Sequence, residues 1–119
     1  MAFSYYLLIW MMPNRWEIWY AKVKFEDNPS QAKNRPVLII DKRQMYLLSL
    51  KITSTAPRTN CWGEYAIVKW REAGLAHQST IRISKRLKLV NSDFINKIGT
   101  LHPYDRINVQ KIMTQRKKK

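Results

Sequence analysis

Arg35 and Thr53 are the residues whose types and positions best suit chemistry on an anionic group. Arg35 precedes the apolar run at 37–40, and Thr53 lies on the polar side of the next strand-like segment. If these two segments form adjacent antiparallel strands, the start of one lies near the end of the other, and the two side chains meet. A guanidinium is permanently cationic and a hydroxyl can donate or accept a hydrogen bond, so both could reach one phosphodiester. Taken alone the pair is a weak signal, because such an arginine is usually solvated and threonine favours strands.

Other catalytic arrangements find little support in the sequence. The 8 acidic residues are dispersed, and no His-x-x-x-His spacing or cysteine pair occurs, so we expect neither a metal nor a cofactor. The 3 glycines are far apart, which disfavours a phosphate-binding loop. His77 lies in a polar loop where it could touch a substrate, whereas His102, beside Pro103 at a helix start, is more often structural. Cys61 is the only cysteine, which favours a packing role and a reducing, cytoplasmic location.

The charge balance predicts a partner of opposite sign. The chain carries 22 lysines and arginines against 8 aspartates and glutamates, a formal net charge of +14. The basic tail, residues 114–119, supplies only part of this excess, so most of it belongs to the folded body. A folded domain with this much positive charge attracts phosphate backbones through counterion release, and it attracts an acidic protein segment equally well. Charge alone therefore leaves a nucleic acid and an acidic protein both open as partners.

Strand signals dominate the first three quarters of the chain. Short apolar and β-branched runs between clusters of turn formers predict strands at 17–25, 37–40, 45–55, 64–70, 79–84 and 86–90. The unbroken apolar run at 37–40 predicts a central strand that is covered on both faces. Several short strands joined by tight loops predict a small barrel or a strongly twisted antiparallel sheet.

Alternation within the strands separates an apolar face from a polar one. In the first strand the apolar side chains are Trp19, Ala21, Val23 and Phe25, and the polar ones are Lys22 and Lys24. In the strand at 45–55 the apolar side chains are Leu48, Leu50 and Ile52, and the polar ones are Ser49, Lys51, Thr53 and Thr55. In the last two strands the inward side chains are Ile81, Ile83, Leu87 and Leu89, and the outward ones are Arg82, Arg86 and Lys88. Each strand is thus predicted to have a core face and a polar face, which is basic in the first strand and rich in hydroxyls at 45–55.

Helix signals come late in the chain. Ser92 precedes a short helical pattern at 93–97, and Gly99 then predicts a helix stop. A second helix is predicted from Pro103, which suits a first helical position, and Asp105 suits its positive N-terminal end.

A chain of 119 residues fits one domain, here 15–113, between an apolar N-terminal extension at 1–14 and the basic tail. The extension is shorter than the roughly 20 apolar residues of a bilayer span. It also lacks the cationic start of a secretory signal, since the first positive side chain is Arg15. Met11 or Met12 is an alternative initiator, in which case the residues before it come from an upstream start. We therefore expect no membrane partner.

Several segments, in this order, resemble the PemK/MazF family of toxins. They are Glu17-Ile18-Trp19-Tyr20, Arg35-Pro36-Val37-Leu38-Ile39-Ile40, Lys51-Ile52-Thr53-Ser54, Ile81-Arg82-Ile83-Ser84-Lys85 and Ile98-Gly99-Thr100-Leu101, followed by the terminal helix. The likeness covers the chain from Arg15 to Met113. It implies a mainly β fold with a C-terminal helix, an SH3-like small antiparallel barrel of the PemK/MazF/CcdB type.

The resemblance also implies a function. The implied function is that of a type II toxin that works as a homodimer and is restrained by a cognate antitoxin. Such a toxin cleaves single-stranded RNA sequence-selectively without a metal. In the family the ribose 2′-hydroxyl attacks the adjacent phosphorus, which leaves a cyclic phosphate and a free 5′-hydroxyl. By position, the catalytic arginine and threonine of the family fall on Arg35 and Thr53. Arg35 should stabilise charge on the phosphorane, and Thr53 should hydrogen-bond the phosphate or orient the attacking hydroxyl.

Five further residues are expected to bind RNA. They are Ser54, Lys33, Lys51, Arg58 and Arg82. Arg82 matches a second catalytic arginine of some members, but Ser84 stands where those members have an aspartate, which leaves the general base unassigned. Trp16 stands where the family commonly has glycine. Trp62, Tyr65 and Trp70 could stack on splayed bases, although core packing is the commoner role of such side chains.

Two other functions fit the same fold. One is a noncatalytic toxin that acts by contact, and the other is a nucleic-acid-binding module, for which the charge would suffice. Neither needs both Arg35 and Thr53. The RNA motif does not follow from the sequence, because loop side chains and their geometry set base preference.

Overall fold

In a computed structural model, residues 12–117 form one antiparallel sheet and a C-terminal helix. The strands are β1 (Glu17–Lys24), β2 (Ala32–Lys42), β3 (Leu47–Thr53), β4 (Glu64–Ala66), β5 (Thr80–Leu89) and β6 (Phe94–Thr100). A 3₁₀ helix, Asn91–Asp93, precedes β6, and helix α1 spans Pro103–Lys117. The sheet order is β4-β5-β3-β2-β1-β6. The predicted mainly β architecture with a terminal helix is confirmed, whereas most of the apolar extension, residues 1–11, lies outside the described residues.

Strand β2 lies in the middle of the sheet and is buried on both faces. Leu38 and Ile40 belong to the main core, which contains buried residues of β1, β3 and β5 and Val109 of α1. Val37 and Ile39 point to the opposite face, where they pack in two smaller clusters. The unbroken apolar run thus forms a central strand covered on both faces, as predicted.

The predicted alternation holds in β1 but fails at one position of β3. In β1, Trp19, Ala21 and Val23 are buried while the lysines between them are exposed. Ser49, which was predicted to face solvent, is fully buried. It is paired with Ile39 on one side and with Leu87 on the other, so it lies within the apolar part of this second face. The polar part of the face begins only beyond Ser49, towards the end of β3.

Three predictions about the second half of the chain are wrong. The segments 79–84 and 86–90 form one strand, β5, which contains a β-bulge between them. Leu50 pairs with Arg86 and Lys51 pairs with Arg82, so residues 83–85 are not paired with β3. The strand at 64–70 is limited to Glu64–Ala66. The helix at 93–97 is absent: Asp93 ends the 3₁₀ helix, and residues 94–97 belong to β6, which pairs with β1 at the sheet edge.

Gly99 therefore has a different role from a helix stop. It lies in β6 opposite Ile18. A Cβ at Gly99 would lie 2.0 Å from the carbonyl oxygen of Ala73, so only glycine lets the loop after β4 approach this strand.

Helix α1 begins at Pro103, as predicted, and Asp105 anchors it. The fully buried Asp105 carboxylate accepts hydrogen bonds from the Tyr65 hydroxyl at 2.6 Å and from the backbone N–H groups of Val68 and Lys69 at 3.0 and 2.9 Å. Burial and the bond to Asp105 raise the pKa of the Tyr65 phenol, which keeps it a donor. Within residues 12–117, no helix has the length and apolarity needed to cross a membrane.

Trp16 marks the turn into β1 and has a left-handed backbone, with φ of 71°. Its N–H donates to the Ile39 carbonyl at 2.7 Å and its carbonyl accepts from the Leu101 N–H at 2.8 Å. These two bonds hold the strained residue in place. Glycine adopts this conformation without strain, which explains why a glycine suits this position.

Candidate active site

The strand register brings the proposed catalytic side chains to one face. Val37 of β2 pairs with Lys51 of β3, so the same register continued by two residues places Arg35 opposite Thr53. Lys51 in turn pairs with Arg82 of β5. Residues directly opposite each other, and residues two apart on one strand, share a face of a sheet. Arg35, Thr53, Lys51 and Arg82 therefore lie on the same face, opposite the main core.

Thr53 and Arg35 line a common cavity of about 420 Å³, here called the Thr53 cavity. Its other polar lining side chains are Tyr20, Lys33, Asn34, Ser54, Thr55, His77 and Ser79. These residues come from β1, from β2, from the end of β3 and from the loop before β5, so the cavity exists only in the folded sheet. Two of the predicted RNA-binding residues, Lys33 and Ser54, are among them.

The hydroxyl of Thr53 is held by the turn that follows β3. Its Oγ1 accepts a hydrogen bond from the Thr55 N–H at 3.3 Å and lies 3.1 Å from the Thr55 hydroxyl. The Thr80 hydroxyl donates to the Thr55 carbonyl at 2.7 Å and fixes the turn to β5. Because Thr53 Oγ1 accepts from the backbone, its own proton remains available for a hydroxyl or a phosphate oxygen.

A second cavity of about 650 Å³, the Arg82 cavity, adjoins the first at Arg35. Its cationic lining side chains are Lys24, Arg35, Lys51, Arg58, Arg82, Lys85 and Arg86. Two acids, Glu26 and Asp27, line it as well. Arg35 thus borders both cavities, with a hydroxyl-rich space on one side and a strongly cationic one on the other.

Mutual repulsion among these cations favours a bound anion. Burial lowers the pKa of the Lys51 ammonium, and the nearby positive charges of Arg35 and Arg82 lower it further. A phosphate placed between them would relieve this repulsion, because it supplies the missing negative charge. The arrangement therefore suits an extended polyanion that runs past Arg35.

Comparison with known proteins decides the family. A sequence model of the PemK-like, MazF-like toxins of type II toxin-antitoxin systems matches residues 14–115. The chain belongs to this toxin family. The resemblance stated above is thereby confirmed, and a type II toxin is by definition one member of a toxin-antitoxin pair. A search of curated proteins finds no match.

The fold of this PemK-like toxin is also seen in a solved structure. The Mycobacterium tuberculosis toxin MazF-mt6 superposes with a TM-score of 0.64 at 18% sequence identity, over 83% of the present chain and 93% of that chain. At this identity the likeness establishes the fold. It supports the expected PemK/MazF-type barrel architecture, here a six-stranded antiparallel sheet with one C-terminal helix.

The PemK-like toxin has a buried carboxylate beside its cationic cavity. The side chain of Glu64, on β4 opposite Arg82, is 2% exposed. It accepts hydrogen bonds from the backbone N–H and the Nε of Arg58, both at 2.8 Å, and lies 3.6 Å from Arg82 Nε. The bonds from Arg58 lower the pKa of the Glu64 carboxyl. The predicted RNA-binding residue Arg58 is thus already engaged by an acid.

All seven residues predicted for the site line one or both of these cavities. The sequence did not single out Glu64, whose importance arises only from its register with Arg82.

Among the aromatic residues, Tyr65 and Trp70 pack against the main core, which is the commoner role of such side chains. Trp62 is 38% exposed. His102 lies at the start of α1, where its Nδ1 accepts the Tyr104 N–H at 3.1 Å. In the described part of the chain, no group of three or more His, Cys, Asp or Glu side chains could hold a metal ion.

Proposed function

We propose that this toxin is a metal-independent, sequence-selective endoribonuclease that cleaves single-stranded RNA. The 2′-hydroxyl of a ribose attacks the adjacent phosphorus, the bond from phosphorus to the 5′-oxygen breaks, and a 2′,3′-cyclic phosphate and a 5′-hydroxyl result. Deoxyribose lacks the attacking group, so DNA resists cleavage. The observation that carries the proposal is that Arg35 lines one cavity together with Thr53 and also borders the cationic cavity.

Arg35 and Thr53 are the proposed catalytic residues. A guanidinium beside the scissile phosphate stabilises the negative charge that builds on the nonbridging oxygens, and in a partly buried site this stabilisation is stronger than in water. Arg35 is itself partly buried. The Thr53 hydroxyl, oriented by the Thr55 N–H, donates to a phosphate oxygen or positions the ribose hydroxyl. Neither side chain is an effective base at neutral pH.

The cations around Arg35 serve as RNA-binding residues. Lys51 and Arg82 contact phosphates in the Arg82 cavity, and Arg58 does so when it leaves Glu64. Lys33 and Ser54 contact the nucleotide in the Thr53 cavity. Phosphate contacts of this kind fix the register of the strand and carry no sequence preference of their own. Base preference then comes from the loop side chains around the Thr53 cavity.

The partners follow from the proposed function. We infer a homodimer whose RNA groove spans both subunits, and a cytoplasmic cognate antitoxin whose acidic segment occupies the cationic cavity in place of RNA. Charge complementarity supports the second point, because the chain carries +14 and its cations crowd around one face.

Incubation of the purified protein with mixed-sequence single-stranded RNA in excess chelator tests the proposal. We expect fragments with cyclic phosphate and 5′-hydroxyl ends at a restricted set of sequences. A Thr53→Val variant, purified identically, removes the hydroxyl at nearly constant shape and controls for contaminating nucleases. Intact RNA in every sequence context, or equal cutting by both preparations, would exclude the nuclease and favour a toxin or binding module that acts by contact.

A further inference from the structure

The proposed reaction needs a group that accepts the proton of the ribose 2′-hydroxyl, and Arg35 and Thr53 do not supply one. Among the described residues that line the Thr53 cavity, the titratable ones are Tyr20, Lys33, Arg35 and His77. None of them is an acid. Of these four side-chain types, only imidazole ordinarily holds an unprotonated nitrogen in a large part of its population near pH 7. By chemistry, His77 is therefore the one candidate base in this cavity.

The loop that carries His77 is anchored on both sides. Before it, the N–H of the buried Leu75 donates to the Trp70 carbonyl at 3.1 Å. After it, the buried Ser79 donates through Oγ to the His77 carbonyl at 2.8 Å, and its backbone carbonyl accepts the Ile67 N–H at 2.9 Å. The His77 side chain itself is exposed at the cavity. A fixed backbone with an accessible imidazole is the arrangement that a proton-transfer group requires.

The acids near the site are less suitable as bases. Glu64 is held by Arg58 and its side chain is 2% exposed, so a ribose cannot reach it without breaking that ion pair. Glu26 bonds the Lys85 ammonium at 3.0 Å, and this contact lowers the pKa of the Glu26 carboxyl, which makes it a weaker proton acceptor. Glu26 and Asp27 line the Arg82 cavity and Glu64 contacts its Arg58 and Arg82, whereas Thr53 lines the other cavity.

We propose that His77 is the general base of the reaction, a catalytic residue that accepts the 2′-hydroxyl proton while Arg35 stabilises the phosphorane. This inference rests on the proposed nuclease function. The imidazole nitrogen takes the proton as the bond from the 2′-oxygen to phosphorus forms. The bond from phosphorus to the 5′-oxygen then breaks, and water supplies the proton that the leaving oxygen takes.

The test exploits the fact that the chain contains only 2 histidines. The rate of RNA cleavage under saturating RNA is measured from pH 5 to 9 for the wild type, for His77→Ala and for the control His102→Gln. We expect the wild type and the control to lose activity on the acidic side of the profile, because a protonated base cannot accept the 2′-hydroxyl proton. The His77→Ala variant should lack this limb and should show a kcat about 100-fold lower with a similar Kd for RNA.

Added imidazole gives a second readout that a purely structural role would not change. Free imidazole should restore part of the activity of His77→Ala, in proportion to the concentration of its unprotonated form, and should leave the wild-type rate unchanged. If His77→Ala keeps the wild-type pH profile, or loses activity without rescue by imidazole, His77 is not the base, although the nuclease proposal stands. Absence of cleavage by the wild type at every pH would overturn both proposals.

Discussion

Glu64 accepts three hydrogen bonds from Arg58, two of them at 2.8 Å from the backbone N–H and the side-chain Nε and a third from Nη2, and its side chain is 2% exposed. The same carboxylate lies 3.6 Å from Arg82 Nε. An acid therefore neutralises part of the cationic cavity before RNA arrives. Under the proposed function, RNA phosphates compete with Glu64 for these two guanidinium groups.

The first prediction is that Glu64→Gln strengthens RNA binding. The variant removes a negative charge next to two cations and frees Arg58 to contact a phosphate, so the Kd for RNA should fall. Each additional phosphate contact should also steepen the slope of log Kd against log salt by about 0.7. Fluorescence anisotropy at several salt concentrations measures both quantities. An unchanged slope would mean that Arg58 does not reach the RNA backbone.

The second prediction concerns acid lability. The pKa of Glu64 is lowered in the folded protein by its bonds with Arg58, relative to an ordinary value of 4.5. The resulting stabilisation is fully present above that ordinary value and is lost as the pH falls through the lower folded value. The melting temperature of the wild type should therefore drop more steeply below pH 4.5 than that of Glu64→Gln. Parallel curves from thermal melts at pH 3 to 7 would contradict this.

The third prediction separates catalysis from binding at Arg35. Arg35→Ala should lower kcat by about 100-fold to 1,000-fold, because it removes a charge aimed at the phosphorane. The Kd for RNA should change little, since Lys51 and Arg82 remain beside the cavity. Arg35→Lys should recover only part of the rate, as an ammonium lacks the planar fork of a guanidinium. Single-turnover cleavage and anisotropy measure the two effects, and wild-type cutting by Arg35→Ala would remove Arg35 from the mechanism.

The fourth prediction tests the left-handed backbone at Trp16. Both Trp16→Gly and Trp16→Ala lose the ring that packs against the main core, so both should be less stable than the wild type. The glycine variant should nevertheless be more stable than the alanine variant by about 1 kcal/mol, because only glycine adopts a φ of 71° without strain. Urea denaturation compares the two directly. The reverse order would show that the turn relaxes to an ordinary conformation.

The fifth prediction concerns the anchor of α1. Asp105→Ala should lower the free energy of unfolding by about 3 kcal/mol, because it leaves the Tyr65 hydroxyl and two part-buried backbone N–H groups without their acceptor. The control Asp41→Ala breaks an ion pair with Arg43 whose side chains are 46% and 57% exposed, and it should cost less than about 0.5 kcal/mol. Chemical denaturation of both variants measures the difference. Equal losses would argue against the buried anchor.

The sequence by itself determined the strand-rich fold, the central position of β2, the inward side chains of β1 and the start of α1 at Pro103. These features depend on local patterns: an apolar run, a period of two, and a residue without an N–H at a helix start. The sequence also indicated that Arg35 and Thr53 face each other, because consecutive antiparallel strands bring the start of one to the end of the next.

Only the tertiary structure decided the strand at the sheet edge, the bulge in β5 and the contacts between distant segments. Residues 93–97 have a helical pattern, yet all of them except Asp93 lie in β6, because pairing with the edge of β1 outweighs the weak local preference of a five-residue segment. The bulge at 83–85, the burial of Ser49 and the contact of Glu64 with Arg58 likewise depend on which residues of distant segments lie opposite each other. Register is a property of the assembled sheet, and a single strand's sequence does not specify its partner or its offset.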